Sequence, residues 1–91
     1  MNELGRKQEE MFKFYVSSLR SAGFDDYADE AEASYDNGAE SDVAFCIAVF
    51  YFEMCGLTTS EDYARTSLEI VTDEEDYEAI KACQSLLDRA L

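Results

Sequence analysis

The sequence contains no histidine, no proline and no tryptophan, and only seven of its 91 residues are basic. Without histidine there is no Cys–His pair, no His-containing zinc site and no imidazole to act as a general base near neutral pH. The three cysteines, Cys46, Cys55 and Cys83, are odd in number and form no CxxC motif. Each has apolar neighbours at helical spacing, so buried free thiols in a reducing cytosol are expected. Long hydrophobic runs are also missing. The longest, Val43 to Phe52, is about half of the ~20 residues that a membrane span needs. The N-terminal stretch "MNELGRKQEEMFKFYVSSLR" is charged and amphipathic, with no apolar core or small-residue cleavage site of the kind that directs export. A soluble, cytoplasmic protein is the expectation.

Acid is what the chain has in excess. Twenty-one Asp and Glu against seven Lys and Arg leave a formal net charge of −14. The distribution is uneven. Residues 1–22 hold Arg6, Lys7, Lys13 and Arg20 against Glu3, Glu9 and Glu10, whereas residues 24–80 hold seventeen acids against Arg65 alone. A near-neutral first segment thus precedes a strongly anionic remainder. The composition is nevertheless that of a folded protein. It is 47% apolar and carries six Phe and six Tyr, unlike the aromatic-poor acidic chains that stay disordered. Ninety-one residues support one core, so 1–91 is expected to be a single acidic helical domain.

The periodicity is helical throughout. Gly23, Gly38 and Gly56 each follow a helix-like segment, at the place where a left-handed residue closes a helix. Residues 2–21 put Leu4, Met11, Tyr15, Leu19 and Ala22 on one stripe, with Arg6, Lys13 and Arg20 behind it. Residues 24–36 put Tyr27, Ala28, Ala31 and Tyr35 on one side and Asp25, Asp29, Glu32 and Asp36 on another, with Asp26 and Glu30 alongside. Residues 41–55 are apolar almost all round. Val43, Ile47, Phe50 and Met54 take one side and Phe45, Ala48 and Phe52 the other, which suits a central helix or one that buries its second face in a partner. Residues 60–71 start behind Thr59 or Ser60. The last segment starts from a capping box of Thr72 and Glu75, with Tyr77, Ile80, Cys83, Leu87 and Leu91 as its core line. The expected fold is all-α, a compact bundle of four to five short helices around a hydrophobic central one at 41–55. The alternative is an α+β fold with 43–52 as a buried strand.

The densest acid lies in "DDYADEAEASYDNGAESD", residues 25–42, with eight carboxylates and no basic side chain. Calcium is excluded by spacing. An EF-hand loop counted back from Gly38 would need ligands at Ala33 and Tyr35, and "TDEEDYE" has no glycine and puts Tyr77 at a ligand position. General acid–base catalysis needs a cleft that pushes two carboxyl pKa values apart, and these clusters lie on polar helix faces. The run "EEDYE" (Glu74, Glu75, Glu78) resembles the E-E-x-x-E pattern of the all-helical MazG-like nucleotide pyrophosphatases. The resemblance implies a magnesium-dependent enzyme with Glu75 and Glu78 sharing one helix face. That family's pattern also has a second helix bearing E-x-x-D, and here only Asp88 follows.

No cofactor, metal or catalytic residue is expected from the remaining features, and three cations on one stripe are too few for direct binding of nucleic acid. The acids themselves are the candidate site. Like charges at Asp25–Asp29, Asp26–Glu30, Asp29–Glu32 and Glu32–Asp36 oppose the helix by roughly 1–2 kcal/mol in all. Six carboxylates from Asp25 to Asp36 occupy about 16 Å of helix, roughly 3 Å per charge, within a factor of two of the ~1.7 Å of duplex DNA. A Lys- and Arg-lined groove would attract such a rod. The expected partner surface is Asp25, Asp26, Asp29, Glu30, Glu32 and Asp36 with Tyr27 and Tyr35, joined by Asp73, Glu74, Glu75 and Asp76. In composition the chain looks like phage-encoded DNA mimics such as anti-CRISPR and anti-restriction inhibitors, which implies a basic, nucleic-acid-handling protein as partner. An immunity- or antitoxin-like partner of a basic toxin, and a non-catalytic homodimeric module, are the alternatives.

Overall fold

A computed structural model describes residues 3–36 and 41–91. They form five helices and, among the described residues, no strand: α1 (Glu3–Ser21), α2 (Asp25–Asp36), α3 (Ser41–Met54), α4 (Glu61–Asp73) and α5 (Tyr77–Ala90). The stretch 43–52 lies wholly within α3, so the buried-strand alternative is overturned. Val, Ile and Phe suit a sheet, but no second strand is available to pair with one here.

α3 is the hub. It packs against each of the other four helices, while α4 and α5 form a close hairpin and α2 touches only α1 and α3. Ala44, Phe45, Ala48, Val49 and Phe52 of α3 are fully buried, or nearly so, against Met11, Tyr15 and Leu19 of α1. α2 contributes Ala28 and Ala31, side chains small enough to let its backbone approach closely. The ring of Tyr15 lies 4.7 Å from that of Phe52 and 5.7 Å from that of Phe45. Its hydroxyl, out of reach of water, is 2.6 Å from Ser67 Oγ, which in turn lies 3.6 Å from Met11 Sδ. A buried phenol needs such a partner. Ser67 is thus a polar core residue that the sequence pattern did not single out.

Three helices end in the same way. After α1, Gly23 has φ +92°, its N–H bonds Arg20 O, and the Phe24 N–H bonds Leu19 O. After α3, Gly56 has φ +79°, with Gly56 N–H on Glu53 O and Leu57 N–H on Phe52 O. Both are Schellman closures, in which glycine takes the left-handed position without steric strain. After α4 the bonds repeat, Glu75 N–H on Thr72 O and Asp76 N–H on Val71 O, but the left-handed residue is Glu75, at φ +56°. Gly38, expected to close α2, lies outside the described residues.

This third closure corrects the sequence reading of the last helix. Thr72 does not cap α5. It lies in the last turn of α4, where its Oγ1 donates 2.6 Å back to Leu68 O, and Glu75 sits in the turn. The N-cap of α5 is Asp76, whose carboxylate accepts from Ala79 N–H at 3.1 Å. Ser60 caps α4, accepting from Tyr63 N–H at 3.2 Å, as expected. The core line of α5 moves as well. Ala79, Ala82, Cys83 and Leu86 are buried, Ile80 and Leu87 are half-buried, and Tyr77 and Leu91, at 77% and 73% exposure, stand at the helix ends outside the core. α5 is wedged between α3 and α4, so its buried face is centred on small residues rather than on its largest ones. Ala22, placed on the α1 stripe, is exposed because the chain has already turned away there.

A left-handed glutamate is strained by about 1 kcal/mol relative to glycine. Glu75→Gly should therefore raise the unfolding free energy by that amount, read as a higher urea midpoint at unchanged slope, and Glu75→Gln, which removes only the charge, should not match it. A second expectation concerns pH. Burial pushes the Cys46 and Cys83 thiols from the ordinary 9.0 up to about 12, with the carboxylates of Asp76, Glu74 and Asp42 adding to the shift at Cys46. The unfolded chain loses these protons near pH 9 while the folded chain keeps them. Stability should hold below pH 9 and fall as pH rises from about 9 towards 12. Denaturant titrations across that range check it, and Cys46→Ala/Cys83→Ala should flatten the fall.

Candidate protein-binding surface

The acids of α2 are held by their own fold more than the sequence suggests. Arg20, in the last turn of α1, reaches across to α2. Its Nη1 lies 3.0 Å from Asp29 Oδ1, and its Nη2 pairs with Glu32. Hydrogen bonding, first to Glu32 and then to Asp29, makes the guanidinium still harder to deprotonate than usual. The cationic back of α1 thus lies, at Arg20, against the acidic stripe. From the other side, Tyr51 of α3 donates 2.7 Å to Glu30 Oε2. Its phenol is pushed up to about 12, chiefly by that bond. A neutral phenol leaves the charge of Glu30 in place, whereas Arg20 offsets one of the two charges it holds.

Asp25 and Asp26, in the first turn of α2, are exposed, and their carboxylates have no ion-pair partner among the described residues. The side chain of Asp36 lies outside the described residues. The tyrosines are engaged internally. Tyr27 stacks on Tyr51 with ring centres 4.6 Å apart, and Tyr35, though 48% exposed, lies 5.5 Å from Phe12 of α1. Between α1 and α2, Tyr35, Phe12 and Val16 line a groove of about 590 Å³ whose rim carries Glu9, Lys13 and Glu32. Charge of both signs at that rim gives it no preference for an ion.

The second expected cluster is the α4–α5 connector. Asp73 ends α4, Glu74 is its C-cap residue, Glu75 is left-handed, and Asp76 spends its carboxylate on capping α5. Asp73, Glu74 and Glu75 are exposed. The connector does not give Glu75 and Glu78 a common helix face, because α5 starts only at Tyr77. The spacing on which the pyrophosphatase resemblance depends is therefore not realised. Among the described residues no group of three or more Asp, Glu, Cys or His is arranged to hold a metal ion. α3 and α5 run in parallel, with Cys46 near Asp76 and Cys83 and with Arg89 Nη2 3.1 Å from Glu53 Oε2. The connector and Asp42 consequently share one end of the bundle, and Gln8 Nε2 donates 2.7 Å to Asp42 there.

Among the described residues five of the seven cations form ion pairs within the chain: Lys7 with Asp62, Lys13 with Glu9, Arg20 as above, Arg65 with Glu61 and Arg89 with Glu53. These are surface pairs, weak singly and sensitive to salt. Three of them tie one helix to another, α1 to α4, α1 to α2 and α5 to α3, and the other two lie within α1 and α4. Removing the α1–α2 clamp with Arg20→Gln should lower stability at low ionic strength, and the loss should shrink as salt is added. A loss independent of salt would show that the arginine stem, not its charge, holds α2.

Comparison of the chain with known protein families, with curated proteins and with solved structures finds no match, so what this surface does must be argued from its own chemistry.

Proposed function

We propose that this protein is a small, non-catalytic inhibitor that occupies the basic, nucleic-acid-binding surface of a target protein, in the manner of a DNA mimic such as an anti-CRISPR or anti-restriction protein. The observation that carries this reading is the charge left after internal pairing. A net charge of −14 rests on a helical frame whose cations are mostly paired to their own neighbours. What extends into solvent is therefore an anionic field, strongest where carboxylates stand without an ion-pair partner among the described residues, as at Asp25, Asp26, Asp73 and Glu75. Such a field steers a cationic surface towards it and fixes its orientation, and it repels nucleic acid and anionic membranes.

Internal pairing narrows the proposed contact set. Asp29 and Glu32 are shared with Arg20, so they present one net charge to a partner, while Tyr27 stacks on Tyr51 and Tyr35 leans on Phe12 at the surface. The groups best placed for an incoming Lys or Arg are Asp25, Asp26 and Glu30 on α2 together with Asp73 and Glu75 on the connector. A second reading, an immunity-like partner that blocks a basic toxin beside its substrate site, draws support from the partly exposed apolar line on α3. Competition separates the two, since duplex DNA displaces a mimic and leaves a side-binder in place.

The test is capture of partners from cell lysate on the immobilised protein, with a salt-step elution and duplex DNA as competitor. The captured protein should be basic, should leave with added DNA, and should be lost by ~0.5 M salt, where the screening length falls well below 10 Å. The variant carrying Asp25→Asn, Asp26→Asn, Asp73→Asn and Glu75→Gln should retain about a tenth of it or less. Capture that persists at ~1 M salt and is unchanged in the variant would refute a charge-driven mechanism.

A further inference from the structure

α3 leaves one line of its surface uncovered. Val43, Ile47, Phe50 and Met54 follow at spacings of four, three and four, which places them on one side of the helix along about 16 Å. Val43 is 44% and Met54 46% exposed, with Ile47 and Phe50 half-buried between them. α2 closes one flank, where Tyr51 holds Glu30. α5 closes the other, where Cys46 lies beside Asp76 and Glu53 is held by Arg89. The opposite side of α3, with Phe45 and Phe52, is covered by the chain's own helices. The result is an apolar line set between two helices, with the carboxylates of Glu30, Asp42, Glu53 and Asp76 around it.

We infer that this line is the anchor of a protein interface and that its occupant is a cationic amphipathic helix, with apolar residues at i, i+3, i+4 and i+7 and Lys or Arg on its flanks. The inference rests on the proposed affinity for a cationic partner and adds where the partner's apolar contacts fall. Four side chains, two of them half-buried, are far too few to supply the ~800 Å² per partner of a stable interface. Any occupant must therefore lie over the flanks as well, where Glu30, Asp42 and Asp76 leave net negative charge after Arg89 offsets Glu53. A second copy of this chain would bring the same carboxylates face to face, with five of its seven cations already engaged. A helix that answers apolar with apolar and acid with base satisfies both requirements, as in other helix-in-groove recognition. The length of the line corresponds to three turns of such a helix.

Two peptides of about 18 residues serve as probes, one of Leu and Lys patterned as an amphipathic helix and one of the same composition scrambled. Fluorescence anisotropy at low ionic strength should show the patterned peptide binding at least about tenfold tighter. Val43→Ser/Met54→Gln, at two exposed positions that leave the core intact, should abolish that difference while the scrambled peptide binds as before. Equal affinity for the two peptides, or a preference unchanged by the double substitution, would overturn the anchor and leave the electrostatic reading standing. Failure of both peptides to bind at low salt would overturn both readings. Sedimentation showing a dimer that the double substitution dissociates would assign the line to a second copy instead.

Discussion

Everything in this fold follows from α3 being apolar on nearly every side. A helix of that kind has no solvent face of its own, so the other elements must be arranged to shield it. α1 and α2 cover it from one direction and α4 and α5 from the other. The cover is uneven in chemistry. α1 brings large side chains, Met11, Tyr15 and Leu19, and α2 brings alanines. Four helices of 12 to 19 residues nevertheless leave the line from Val43 to Met54 partly open. The same scarcity of cover that exposes this line also places carboxylates at its flanks, because the outer faces of the covering helices are where the acids lie.

Electrostatics then acts as a second layer on a frame already set by packing. Acids in the first turns of α2, α3, α4 and α5 favour the helix dipoles. Only α1 and α5 carry a base in the last turn, and both bases, Arg20 and Arg89, reach to a neighbouring helix. The cations thus act between helices as much as along them. This accounts for a surface that stays anionic without losing its internal ties.

The helices could be read from the sequence because spacing, glycines and caps agreed at most boundaries: Gly23 and Gly56 stand where their closures form, and Ser60 caps α4. The α4–α5 junction was hidden for a definite reason. "TDEEDYE" offers an oxygen at nearly every position, so the Thr72–Glu75 box and the Asp76 cap were both available, and no glycine marked the closure. Which side of α3 would be left open was equally illegible, because an all-round apolar helix carries no pattern that orients it. The acidic surface was half legible. The positions of the acids were clear, but the pairing of Asp29 and Glu32 with Arg20, and the stacking of Tyr27 on Tyr51, depend on how α1 and α3 flank α2.

α2 touches only α1 and α3, buries two alanines as its fully enclosed residues, and carries self-repelling acids along its length. In a bundle built this way the elements do not share one opening free energy. α3, which rests on all four other helices, has more to hold its amides closed than α2, which rests on two. A cation laid along α2 would relieve the repulsion that loosens it, so occupancy of the acidic face would be felt as slower deuterium exchange throughout that helix. The helix that carries the densest acid is in this sense also the one with the most to gain from company.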